Sequence, residues 1–240
     1  MTFIKAQTGP ANFGDAESKF TVQYFDEEGN MTIRSDGKRA WRCNNPGNLK
    51  KSPYSMSKKR RAIGFAGDIN DEYAVYPDYE TGHEALVIML KGNIYSPLTL
   101  KQASKKYVAS DPDHIHKIVK MTKLDPNQTI KSLTDKEFEI YWKAIEENEG
   151  WEEGREDFIQ RWYITGVHKK RGVIIEFLIA NNDGLTWVSK EQALKLALEG
   201  RLHAILVHAK NGGLFLRPEY GSKPFELVLV AQKDHEEVFC

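Results

Sequence analysis

Thr134-Asp-Lys-Glu-Phe-Glu-Ile-Tyr-Trp-Lys-Ala-Ile-Glu-Glu-Asn-Glu149-Gly150-Trp151 is the stretch from which the fold is read. Thr134 with Glu137 fits a capping box, and Leu133 with Phe138 is spaced as a hydrophobic staple, so a helix starts here. Phe138, Tyr141, Trp142 and Ile145 recur at three- and four-residue spacing and define one buried stripe. Glu149 continues that stripe. At about 100° per residue, the steps from Phe138 to Glu149 return to within ~20° of the same face. Glu147 falls on the far side and Glu146 at the edge, so the phase selects Glu149 as the carboxylate aimed at the apolar side. Desolvation against Trp and Tyr raises a carboxyl pKa, and the end of the helix at Gly150 disfavours negative charge. Both effects favour a proton-holding acid, the group that glycosidic-oxygen protonation needs. The bland alternative is a helix that ends one residue earlier, with Glu149 a solvated terminal residue.

Upstream of this helix, Thr81 with Glu84 and Thr99 with Gln102 fit capping boxes, and Asp111-Pro112 fits a cap with proline at the first helical position. Residues 41–72 are loop-rich and include the basic run Lys58-Lys-Arg-Arg61, read as a solvated loop with a specific anion site as the alternative. Tyr73-Ala-Val-Tyr76 reads as a short strand ending at Pro77. Residues 1–19 lack periodicity and read as a lead-in, and 20–34 as a hairpin turning at Asp26-Glu-Glu-Gly29-Asn30. Beyond Gly154 strands predominate, at 163–168, 173–180, 205–209, 214–217 and 226–231. One helix is capped by Ser189 with Gln192 and closed by Gly200. The expected class is α+β. A lead-in with hairpin (1–40) precedes a mainly helical domain with a loop/strand lobe (41–156), and a small strand-rich α/β accessory domain (162–240) follows.

Lys plus Arg (34) equal Asp plus Glu (34), and neither half is strongly charged, which argues against a nucleic-acid partner. Two cysteines, Cys43 and Cys240, cannot build a disulfide framework. No segment has the length or apolarity of a membrane span, and the N-terminus lacks a signal-peptide pattern. The expectation is synthesis in the cytoplasm without membrane insertion. No metal motif is present: His114 and His116 are two apart on a helix and face different ways, and there is no Cys-x-x-Cys or His-Glu-x-x-His. Gly212-Gly213 reads as a turn, not a phosphate loop. No cofactor is expected.

The segment Trp41-Arg-Cys-Asn44-Asn45-Pro46-Gly47-Asn48-Leu49-Lys50 resembles the R-x-N-N-P-G-N-[IL]-[RK] signature of phage-virion and bacterial lysozyme-like proteins. Two further elements follow in the family's order. The first is Tyr73-Ala-Val-Tyr76-Pro77 with Thr81-Gly82-His83-Glu84-Ala85-Leu86, and the second is Asn148-Glu149-Gly150-Trp151. The resemblance spans about 41–154 and implies a circularly permuted lysozyme-like domain, because the loop and strand here precede the glutamate helix. It implies a peptidoglycan hydrolase or lytic transglycosylase: a muramidase, a glucosaminidase, or a transglycosylase that forms an anhydro sugar. Residues 163–217 resemble a small bacterial accessory domain to which no chemistry attaches, with binding and a purely structural role both open.

Under this reading Glu149 is catalytic, and Asn44, Asn45, Asn48, Tyr73 and Tyr76 are candidate substrate contacts. The Asn amides suit sugar hydroxyls or N-acetyl groups. The alternatives are a structural turn for the Asn residues and a core role for the tyrosines. Asp71, Glu72 and Glu80, with Asp68, are candidates for a second carboxylate, which would stand about 5–5.5 Å away for retention or about 6.5–9.5 Å for inversion. A Cys43–histidine amidase is a minor alternative, since nothing in the sequence activates the thiol. The implied partners are peptidoglycan strands, with a delivery apparatus or an inhibitor or immunity protein. Action is expected in the periplasm or on the cell wall, as an antibacterial effector or a phage lysis or virion enzyme. The alternative is a noncatalytic glycan-binding or virion/effector structural protein.

Overall fold

The computed structural model describes residues 2–9, 20–68, 70–108, 111–181, 183–208 and 213–218. The expected strand at 226–231, the second cysteine Cys240 and the first glycine of Gly212-Gly213 lie outside these residues. The chain divides into two compact units, Met1–Glu28 with Thr32–Phe158, and Gly29–Met31 with Ile159–Cys240. It contains helices and sheets in both, an α+β protein.

The N-terminal unit is built on a mixed sheet. Its strands are β1 (Phe3–Thr8), β2 (Val22–Asp26), β3 (Met31–Ser35), β4 (Gly64–Asp68), β5 (Asp71–Val75) and β6 (Arg155–Ile159), in the order β5-β4-β1-β2-β3-β6. Of the segment expected as a lead-in with hairpin, β1, β2 and β3 are thus part of this sheet, while residues 10–19 lie outside the described residues. β1 pairs antiparallel with β2 and parallel with β4, so the first strand stitches the hairpin to the β4–β5 ribbon. The parallel contact is close: a Cβ on Gly64 would lie 1.8 Å from the Ala6 carbonyl oxygen. That need for a bare backbone explains a strand opened by glycine, which strand propensity alone would reject. Ala6, Val22, Tyr24, Ala66, Tyr73 and Val75 form the apolar layer on this sheet, together with Cys43.

Among the described residues the unit also holds the α-helices α1 (Arg39–Arg42), α2 (Tyr79–Lys91), α3 (Leu100–Tyr107), α4 (His114–Thr122) and α5 (Asp135–Glu149). The Thr99–Gln102 and Thr134–Glu137 capping boxes are both formed. The Thr81 box is not. Asp78 caps α2 by accepting from the Thr81 N–H at 2.7 Å, so the helix begins one turn earlier than the Thr-x-x-Glu spacing suggests. Asp111 likewise closes a turn onto the Asp113 N–H, and α4 starts only at His114. Leu86, Leu90, Leu100, Ile118, Phe138, Tyr141 and Ile145 form the helical core, and the apolar stripe of α5 is buried in it.

The C-terminal unit holds an antiparallel meander of β7 (Tyr163–Lys170), β8 (Val173–Asn181) and β9 (Gly184–Ser189). Helix α6 (Lys190–Leu198) follows, with the Ser189–Gln192 capping box in place, and then the hairpin β10 (Ala204–His208) with β11 (Leu214–Pro218). Its core is small: Phe177, Ile179, Ala193 and Leu202.

Candidate active site

The loop between α1 and β4 is fixed by its own asparagines. Asn45 donates through Nδ2 to the carbonyls of Leu49 and Ala74, at 3.0 and 2.8 Å, and accepts from the Leu49 N–H at 2.8 Å. Asn44 donates to the carbonyls of Tyr76 (3.2 Å) and Pro77 (3.0 Å), and accepts from Arg34 at 2.7 Å. Both side chains are buried, with their amide oxygens and nitrogens engaged within the protein. Asn44 and Asn45 thus clasp the loop to β5 and the turn after it, and they are not presented to a ligand as the sequence suggested. Buried polar groups must find partners, and the edge of β5 supplies them. Helix α2 backs directly onto the loop: a Cβ on Gly82 would sit 1.9 Å from the Asn44 carbonyl oxygen. Tyr107 holds the other side by donating to the Gly47 carbonyl.

The clasp delivers Asn48. Its backbone is left-handed, φ +44°, a conformation asparagine tolerates better than most residues. Its Nδ2 donates to Glu149 Oε2 at 2.8 Å, while its Oδ1 accepts from Arg39 Nε at 3.0 Å. The Arg39 guanidinium lies 3.9 Å from the Tyr73 ring centroid. The Tyr73 hydroxyl donates to Asp71 at 2.8 Å, and Asp71 pairs with Lys50 at 3.0 Å. One polar chain therefore runs from Glu149 through Asn48 and Arg39 to Tyr73, Asp71 and Lys50.

Glu149 is the last residue of α5, half-buried, and Gly150 (φ +79°) turns the chain away after it. Burial pushes its carboxyl pKa above the usual range. The Asn48 hydrogen bond and the Arg39 charge pull the other way without cancelling the rise; Asp111 adds to it, and Lys117 subtracts. The carboxyl sits in a partly desolvated niche, with the Asn48 amide donating to it and the Arg39 charge nearby.

Tyr76 stands elsewhere. It is fully buried in the helical core, so it lines no cleft. Tyr73 is also nearly buried, and its contribution is the hydroxyl bond to Asp71. Of the second-carboxylate candidates, Asp71 alone joins the Glu149 network. Its hydrogen bonds from Lys50 and Tyr73 lower its pKa against the opposing effect of burial. Glu72 pairs with Lys51 at 2.6 Å, while Glu80 and Asp68 are exposed at the start of α2 and the end of β4. The Cys43 thiol is fully buried and pushed up to about 12, which removes it as a nucleophile at neutral pH.

Helical phase puts Glu146 at the edge of the stripe, yet the structure tucks it in. Glu146 accepts from the Tyr79 hydroxyl at 2.9 Å and contacts His83 Nδ1 at 2.8 Å, with its side chain only 11 % exposed. It stands in a cleft of about 710 Å³ lined by Tyr79, Trp142, Gly150 and Trp151, with Pro46 contributed by the clasped loop. Trp142 meets His83 edge-on at 4.3 Å, and Trp151 meets Tyr79 at 5.0 Å and 89°. Helical phase passes over Glu146 in favour of Glu149, and no motif in the sequence singles out Arg39, Tyr79 or His83 as site residues. The available signal was the i, i+4 spacing of Tyr79 with His83 and of Trp142 with Glu146, two polar-aromatic faces on different helices. Among the described residues, no group of three His, Cys, Asp or Glu side chains is arranged to hold a metal, and no helix is long and apolar enough to cross a membrane. Compared with known protein families, curated proteins and solved structures, the chain finds no match.

Proposed function

We propose that the N-terminal unit is a lysozyme-like, circularly permuted domain that cleaves the glycan strands of peptidoglycan, with Glu149 as general acid. The observation that carries this reading is the pairing of a desolvated carboxyl with the signature-loop amide of Asn48 at 2.8 Å. The raised pKa favours the proton-holding form, the form that donates to a leaving glycosidic oxygen. As that proton transfers, Asn48 and Arg39 stabilise the carboxylate left behind. Asp71 is already committed to Lys50 and Tyr73, so the reading takes Glu149 as the single acid/base, a choice compatible with anhydro-sugar formation. Action on the cell wall follows, after delivery as an effector or phage enzyme, with the C-terminal unit in a binding role.

The test is purified protein on isolated peptidoglycan. Wild type should release soluble muropeptides and Glu149→Gln should not, and product masses then distinguish hydrolysis from anhydro-sugar formation and assign the bond. Binding without release by wild type overturns the enzymatic reading. Full activity in Glu149→Gln overturns the acid assignment alone. The second reading, a noncatalytic glycan-binding or virion/effector structural protein, draws on one observation: the aromatic-walled cleft is lined by Glu146 rather than Glu149.

A further inference from the structure

We propose that the cleft around Glu146 binds a primary ammonium group carried on a flexible aliphatic chain, the group that a diamino acid in a peptidoglycan stem peptide presents. This rests on the peptidoglycan reading for its natural ligand, but the chemistry of the cleft stands independently.

The floor is a carboxylate in a poorly hydrated position. Each oxygen of Glu146 has one fixed partner, the Tyr79 hydroxyl on Oε2 and His83 Nδ1 on Oε1. Those contacts hold the group rigidly and leave acceptor lone pairs free, since a carboxylate offers about four acceptor sites. Among the described residues, no lysine or arginine makes an ion pair with Glu146; its partner is His83. The cleft lining carries two lysines, Lys38 and Lys143, and three glutamates, Glu146, Glu147 and Glu152. The Lys143 ammonium is drawn to Glu139 at 2.5 Å.

The walls favour a compact cation over a flat ring. Tyr79 and Trp151, both in the lining, meet at 89°, so this pair forms a steep corner and not a continuous platform for stacking a pyranose. A corner of aromatic rings beside a carboxylate attracts an ammonium through the ring quadrupole as well as through charge. The chain itself gives an example: Lys143 Nζ already lies 5.4 Å from the Trp142 ring centroid. The cleft volume of about 710 Å³ admits the aliphatic chain behind the charge.

The experiment uses the full chain and three soluble ligands: 1,5-diaminopentane, its diacetylated form, and the N-acetylglucosamine trimer. Binding is read by calorimetry and by the change in tryptophan fluorescence that Trp151→Phe should reduce. The diamine should bind saturably, and the diacetylated form, which has lost its charge, should not. Glu146→Gln, which keeps the acceptor for Tyr79, should weaken diamine binding by about tenfold, and added salt should weaken it further. Glu149→Gln should bind the diamine as wild type does while releasing no muropeptides, which separates this proposal from the catalytic one. Saturable binding of the sugar trimer without the diamine overturns the proposal in favour of a glycan platform. Equal binding of diamine and diacetyl-diamine, or no binding of either, overturns it outright. If Glu146→Gln proves unfolded by circular dichroism, Trp151→Ala, at an exposed position, gives the same reading through loss of diamine affinity.

Discussion

Glu146 and Glu149 stand three residues apart on α5, about 60° apart around the helix, and their surroundings differ in kind. Glu149 meets the loop of 44–50. Its partner is an asparagine whose position is set by a left-handed backbone and by the buried clasp of Asn44 and Asn45. Glu146 meets α2, where Tyr79 and His83 approach from one helical face. The niche holds an acid whose pKa is raised by burial; the cleft holds a carboxylate pinned between aromatic groups. The two proposals give the same residue type at the same helix end different tasks, proton donation to Glu149 and ligand recognition to Glu146. What differs is which element packs against each.

The sharpest way to break this contrast is to neutralise each glutamate in turn. Glu149→Gln should lower muropeptide release by about 10²–10⁴-fold, the range general acids contribute. Glu146→Gln should stay within about tenfold of wild type on the same substrate. A reversed order, measured as initial rates on isolated peptidoglycan, would exchange the two roles.

Next in size is Asn48→Ala, which removes the donor that stabilises ionised Glu149. Rates should fall by about tenfold, because the carboxylate formed on proton transfer loses a hydrogen bond. The Glu149 pKa should rise further, so the alkaline limb of the pH–rate profile should move to higher pH. A limb that moves to lower pH contradicts the geometry.

A smaller effect concerns stability. Glu149 has a folded pKa above its unfolded value, so the native state binds more protons between the two. Its contribution is most favourable below the unfolded pKa and is lost as pH rises through the folded pKa. Glu149→Gln should therefore raise Tm at neutral pH and flatten the pH dependence above the unfolded carboxyl pKa. Thermal melts of both proteins between pH 4 and pH 8 check this.

The smallest effect is at Asp71. Its folded pKa is lowered by Lys50 and Tyr73, so its stabilisation is present above the unfolded pKa and lost as pH falls through the folded value. Its side chain is 46 % exposed, so solvent screens the pair, and Asp71→Asn should cost less than about 1 kcal/mol in a neutral-pH denaturant titration. Muropeptide release should change little if Glu149 acts as the single acid/base. A loss as large as that of Glu149→Gln would make Asp71 a second catalytic carboxylate.

Local chemistry was legible wherever a few neighbouring residues settle the matter. The Thr99, Thr134 and Ser189 capping boxes are complete within four residues and are formed as their spacing suggests. The stripe from Phe138 to Glu149 follows from helix geometry, and its large apolar residues Phe138, Tyr141 and Ile145 are buried. Strands β1, β4 and β6 were not legible. β4 reads Gly-Phe-Ala-Gly-Asp, and only its parallel contact with β1, where a Cβ on Gly64 would collide with Ala6, explains its glycine. Asp78 rather than Thr81 caps α2, because both offer a capping oxygen and spacing cannot rank them.

The sequence by itself determined the starts of α3, α5 and α6 at their capping boxes, which face of α5 is apolar, and that Glu149 continues that face. Those follow from the short-range geometry of 3.6 residues per turn and from hydrogen bonds within one turn. Only the tertiary structure decided that Asn44 and Asn45 face inward, that Asn48 reaches across 101 residues of chain to Glu149, and that α2 brings Tyr79 and His83 to Glu146. Partners distant in the chain are chosen by packing and by the need of buried polar groups for hydrogen bonds, and neither is encoded in the spacing of neighbouring residues.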